Sequence, residues 1–190
     1  MKFLLVLFLF LYSYAAIRYH IGKELGYSAI LFVFNKALAW WCASVLLISL
    51  LPHDKLQRVG LTKRATGLLG YAIALVHILV TFYLLVPSYY PKFFTLGELN
   101  IHGWTSISIG LLSLFFFSFP LFATWKNYAT HRFYKLGRLG VLLNVSHVFS
   151  IGFDTWFPAD TWPYYLPPIT LIFVIQALLI LLYRYVLLRN

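Results

Sequence analysis

Acid is scarce in this chain. Its 190 residues include 5 Asp and Glu against 15 Lys and Arg, and only 11% are charged. No pair of carboxylates falls inside an apolar run, and nothing resembles a nucleophile with its base, so proton-coupled pumping and hydrolysis lack the groups they need. Cysteine is nearly absent. The single Cys42 lies within an apolar stretch, which excludes a disulfide framework and any Cys-x-x-Cys redox pair. No Gly-x-Gly-x-x-Gly loop follows a strand pattern, and no polar segment is long enough to fold as a nucleotide-binding reductase domain. The His-x-x-x-His boxes needed by membrane di-iron desaturases are also missing. What the chain has instead is apolar surface: 62% of residues are hydrophobic and 20% aromatic, too many for a soluble domain of this size.

A membrane-crossing helix needs about 20 apolar residues to span a hydrocarbon core roughly 30 Å thick. Six segments qualify, approximately Phe3 to Ile17, Ala29 to Leu51, Ala65 to Val86, Trp104 to Thr124, Leu136 to Phe153 and Tyr165 to Leu187. Backbone groups in lipid must pair internally, and no alternating barrel pattern is present. The sequence therefore predicts an all-α integral membrane bundle of six transmembrane helices, one domain over residues 1–190. The number falls to five if the first is a signal: Lys2, an apolar run and Ser13-Tyr14-Ala15 also resemble a secretory leader cut after Ala15. A retained helix is the preferred reading.

Charge placement sets the expected orientation. One loop carries Lys55, Arg58, Lys63 and Arg64 against Asp54 alone, and another carries Lys126, Arg132 and Lys135, with Arg184 and Arg189 near the C-terminus. The loops after the third and fifth spans hold Lys92 with Glu98, and Asp154 with Asp160. An excess of cations on the cytoplasmic side then puts both termini and both basic loops inside. This arrangement and anionic lipid headgroups account for the net charge of +10, so no nucleic-acid partner is inferred. The aromatics of the two outer loops (Tyr89, Tyr90, Phe93 and Phe94; Trp156, Trp162, Tyr164 and Tyr165) read as an interfacial belt, with Asp154 and Asp160 as candidates for partner docking.

Two stretches share a pattern. Gly67-Leu68-Leu69-Gly70 leads to His77, and Gly137-Arg138-Leu139-Gly140 leads to His147, each histidine seven positions after the second glycine. At about 100° per residue, Gly70 and Gly140 fall on nearly the same helix face as their histidines. Each helix would thus offer one imidazole above a groove free of side chains, and two such helices could clamp a flat macrocycle. Both run from inside to outside and place their histidines roughly 18–20 Å from the inner boundary. Matched depth suits a bis-imidazole haem iron, which serves an electron carrier because no coordination position is left for substrate. Each ring should be neutral, its second nitrogen donating to a nearby oxygen; Thr81, Asn144 and Ser150 are candidates. The bland alternative is that Gly-x-x-Gly only brings helices together and that a buried histidine is an interhelical hydrogen-bond partner. His131 and His53 could flank a second, inner haem, though the third helix offers no ligand in its inner turns. The cations of the inner loops, Arg64 among them, would suit an acidic partner, a flavin phosphate or haem propionates.

The run Asn35-Lys36-Ala37-Leu38-Ala39 through Leu46-Leu47-Ile48-Ser49-Leu50-Leu51-Pro52, followed by Lys63-Arg64-Ala65-Thr66-Gly67-Leu68 and His77, resembles the ferric-reductase-like transmembrane domain superfamily. Within it the similarity is closest to MsrQ (YedZ), the haem-binding membrane subunits of periplasmic methionine sulfoxide reductase systems. The resemblance is best over residues 35–86. It implies a b-type cytochrome of the bacterial inner membrane, carrying haem b. Electrons would pass from a cytoplasmic flavin reductase or quinol, with FMN or FAD as a further cofactor, to an extracytoplasmic reductase or metal-ion acceptor. Such proteins usually have another histidine near the start of the fifth span, where this chain has Gly137; His131-Arg132-Phe133 reads as that element displaced. The competing expectation is a haem-free helical membrane protein acting as a carrier or assembly factor.

Overall fold

Proline decides where several helices stop. In the computed structural model, which describes residues 2–20, 27–126 and 131–184, α1 spans Lys2–Tyr19 and α2 spans Tyr27–Ile48. The second helix ends short of the expected Leu51 because Pro52 follows, and the residue before a proline is pushed out of the helical basin. A short helix not foreseen from the sequence, α3 (His53–Arg58), then forms within the basic loop. Next come α4 (Lys63–Leu84), α5 (Ile101–Trp125), α6 (His131–Gly152) and α7 (Ile169–Leu182). The last begins later than the expected Tyr165, since Pro163, Pro167 and Pro168 hold the approach in 3-10 turns and extended backbone. The expected end of that span at Leu187, with Arg189, lies outside the described residues.

Among the described residues, six helices are long and apolar enough to cross a membrane, and the chain is an all-α integral membrane bundle. α2 is its hub. It packs on α1, α4 and α7, while the contacts of α4 with α5, α5 with α6 and α6 with α7 complete a ring. Trp40, Ala43 and Leu47 of α2 share a core with Phe117, Val141, Phe173 and Ala177 from the facing helices. α1 stands outside the ring and buries Leu4, Leu11 and Ala15. It is fastened to the entry of α7: the Tyr14 hydroxyl donates to the Pro167 carbonyl at 2.7 Å, and the Arg18 guanidinium donates to the Leu166 carbonyl.

The α4–α5 loop folds back over one end of the ring. Phe94–Thr95 (β1) and Glu98–Leu99 (β2) pair antiparallel through a two-residue turn with positive φ at Leu96 and Gly97, the geometry that matches strand twist. Asn100 caps α5 by accepting from the Gly103 amide at 2.9 Å. Gly103 is required there, because a Cβ would come within 2.7 Å of the Phe93 carbonyl oxygen. The aromatic belt expected on these loops is only partly present. Tyr90, Phe93 and Trp156 are buried, and the Trp156 indole donates to Thr170 Oγ1 at 3.0 Å. Asp154, expected as a docking group, pairs with Lys92 at 3.1 Å and clasps the two loops together.

Candidate cofactor site

His77 on α4 and His147 on α6 face a common cavity of about 190 Å³ walled by α2, α4, α5, α6 and α7. His147 Nδ1 lies 2.7 Å from the backbone carbonyl oxygen of Ser106 on α5. A carbonyl can only accept, so this nitrogen carries the ring proton and Nε2 keeps the lone pair. His77 Nδ1 lies 2.8 Å from Asn35 Oδ1. The amide of Asn35, fully buried, is turned by its other end: Nδ2 donates to Thr81 Oγ1 at 2.9 Å and to the Tyr90 hydroxyl at 3.3 Å. Its oxygen therefore receives the His77 proton, again leaving Nε2 unprotonated. Two neutral imidazoles, each held by an oxygen at Nδ1, offer their Nε2 atoms as ligands, the arrangement in which an outer hydrogen bond fixes tautomer and orientation.

Of the three expected partners for these rings, Thr81 is a distant one at 3.4 Å from His77 Nδ1. Ser150 donates instead to the His147 carbonyl at 2.8 Å, and Asn144 lines the cavity. The residues that hold the rings, Asn35 and Ser106, come from other helices. Asn35 announces itself in sequence as an amide deep in an apolar helix, where a polar group needs a partner. Ser106 acts through its backbone, which leaves no mark in the sequence.

Gly110 is the glycine that makes room for an imidazole. A Cβ there would stand 2.9 Å from His147 Cε1 and 3.0 Å from Nδ1, so the ring lies directly on the backbone of α5. The groove expected beneath each histidine is absent. At Gly70 the space holds Leu46, whose Cγ would be 2.9 Å from an added Cβ, and at Gly140 it holds the Phe117 ring at 3.2 Å. These two glycines bring α4 against α2 and α6 against α5. The Gly140 carbonyl also accepts from Ser113 Oγ at 2.8 Å.

One cation enters the same cavity. Lys36, next to Asn35 on α2, lines it with its ammonium 5.0 Å from the Phe32 ring centroid and 4.8 Å from that of Tyr90. Among the described residues no carboxylate lines the cavity. The other expected site residues are elsewhere. His53 is exposed on α3. His131 opens α6, but its side chain lies outside the described residues, as does that of Arg132. Arg64 lines a separate cavity at the opposite end of the ring. Among the described residues, no three His, Cys, Asp or Glu side chains gather as a metal cluster.

No family model and no curated protein matches the chain.

Proposed function

We propose that the protein is a membrane-embedded b-type cytochrome that passes electrons across the bilayer, in which His77 and His147 would hold one haem b. The observation that carries this reading is the pair of imidazoles that face one cavity with both Nδ1 atoms hydrogen-bonded and both Nε2 atoms left as donors to a metal. The half-buried ammonium of Lys36 supports it, since a cation without a carboxylate in an apolar cavity suits the propionates of a porphyrin. Haem b, when bound, supplies reversible one-electron chemistry at iron. The chain's own part is to supply neutral imidazoles, to fix their planes through Asn35 and the Ser106 carbonyl, and to keep water from the site with apolar walls such as Phe117 and Phe173.

The charge distribution favours both termini and the basic loops on the cytoplasmic side, with the hairpin outside. With the resemblance to ferric-reductase-like membrane domains, and to MsrQ in particular, it suggests a bacterial inner-membrane subunit. On this reading a cytoplasmic flavin reductase or quinol is the donor, and an extracytoplasmic reductase or metal ion is the acceptor. A second reading, a haem-free carrier or assembly factor, is favoured by the cavity volume. About 190 Å³ is less than the roughly 300–1,000 Å³ of most small-molecule sites, so a macrocycle would have to spread the walls.

An absorption spectrum of the detergent-solubilised protein separates the two. A Soret band whose α and β bands sharpen with dithionite, lost in both His77→Ala and His147→Ala, is expected of the cytochrome. A featureless visible spectrum from protein produced with ample haem supports the second reading, and pigment that survives both substitutions refutes the ligand assignment.

A further inference from the structure

At the end of the ring opposite the hairpin, a larger cavity of about 680 Å³ opens between α2, α4, α5, α6 and α7. Lys63, Arg64, Arg138 and Arg184 line it, and no carboxylate among the described residues does. Lys63 and Arg64 are exposed at its mouth, and like charges gathered at one cavity make it attractive to an anion. Their placement is not explained by helix stability: Lys63 and Arg64 open α4, at the positive end of its dipole, where acidic residues are favoured. Arg184 reaches back across the bundle, donating to the Leu50 carbonyl, so the cation is held at the cavity rather than released to solvent.

A second feature tells what kind of anion fits. An apolar groove of about 660 Å³ continues from this cavity, sharing Arg64, Leu68, Leu121 and Thr124 with it, and its remaining walls are largely aromatic. Phe115, Phe122 and Trp125 of that groove are exposed on the flank of α5, which in a membrane-spanning helix faces acyl chains. The cavity wall also includes Gly67, where an added Cβ would meet nothing within 4 Å; this glycine brings no helices together and leaves open volume.

We propose that the basic cavity binds the phosphate of an anionic phospholipid, whose acyl chains lie in the adjoining aromatic groove. Basic pockets between membrane helices are suited to such headgroups, and the site does not depend on what the two histidines hold. Guanidinium groups and an ammonium would neutralise the phosphate, and Gly67 would let the headgroup approach the backbone of α4.

Native mass spectrometry of the full-length protein tests this. Detergent-purified protein is mixed with phosphatidylglycerol or with phosphatidylcholine of the same chains, and adduct retention is followed as collision energy rises. Phosphatidylglycerol should be retained at energies that strip phosphatidylcholine. The Lys63→Gln/Arg64→Gln variant should lose at least tenfold of that retention. Gly67→Leu, which fills open space without removing charge, should lose it as well while melting no lower than the parent protein. Equal retention of the two lipids, or adducts undiminished in both variants, overturns the proposal. Displacement of phosphatidylglycerol by millimolar inorganic phosphate also overturns it, since the site would then recognise a free anion and not a lipid.

Discussion

Replacing Gly110 with alanine should dislodge one imidazole and leave the rest of the bundle in place. The new Cβ would stand 2.9 Å from His147 Cε1 and 3.0 Å from Nδ1, about 0.5 Å inside ordinary van der Waals contact. The ring is rigid and seated against α5, so it must lift from that helix. Its Nδ1 is 2.7 Å from the Ser106 carbonyl oxygen, and a retreat of that size takes the bond to about 3.2 Å, the edge of good geometry. Overpacking of this kind costs about 1–3 kcal/mol, offset by the roughly 1 kcal/mol that alanine gains over glycine in a helix, so Tm should fall by up to about 8 °C. Gly67→Ala is the matched control. Nothing lies within 4 Å of a Cβ there, and alanine is better than glycine in a helix by about 1 kcal/mol, so its Tm should hold or rise. Thermal unfolding of both variants in one detergent gives the comparison, with the visible spectrum as a second readout. If Gly110→Ala melts with Gly67→Ala and its spectrum is unchanged, the imidazole does not rest on α5 and its bond to the Ser106 carbonyl does not set the tautomer.

Asn35→Leu should destabilise the protein by about 1–3 kcal/mol, because it strands His77 Nδ1 and the Thr81 and Tyr90 hydroxyls in an apolar interior; denaturation in mixed micelles measures it, and an unchanged stability would refute the network. Gly152→Ala should be worse than Gly110→Ala, since its Cβ would fall 2.1 Å from Thr170 Oγ1 and force out the side chain that accepts from Trp156; a Tm equal to that of the parent would contradict the close packing of α6 on α7. Orientation is tested in a Cys42→Ala background: an impermeant maleimide applied to intact cells should label Leu96→Cys at the hairpin and reach Gln57→Cys on α3 only after permeabilisation. The reverse pattern would invert the topology.

The architecture was readable in the sequence because lipid imposes one demand, length of apolar helix, and six segments meet it. Helix ends were less so, since Pro52 and the prolines before Ile169 act on their neighbours over several residues. His77 and His147 stood out as polar groups in apolar runs, and the structure brings them to one cavity. The glycines misled. Gly-x-x-Gly marks a close approach but not the thing approached, and at Gly70 and Gly140 that is Leu46 and Phe117. Asn35 is conspicuous as a buried amide, but its partner is not legible, because the contact with His77 spans 42 positions and two helices. Tyr90, Phe93 and Trp156 were assigned to a belt because composition cannot distinguish an aromatic at a lipid boundary from one folded beneath a loop.

Tyr90 belongs to the hairpin loop, yet its hydroxyl ends on the amide that steadies His77. Anything that pries this loop away, beginning at the Lys92–Asp154 clasp, withdraws the more distant of the two oxygens that anchor the Asn35 amino group and leaves Thr81 to hold it alone. The loop thus acts as a lever whose short arm is a single tyrosine. The outer loop and the imidazole thus share one hydrogen-bonded chain, Tyr90 to Asn35 to His77.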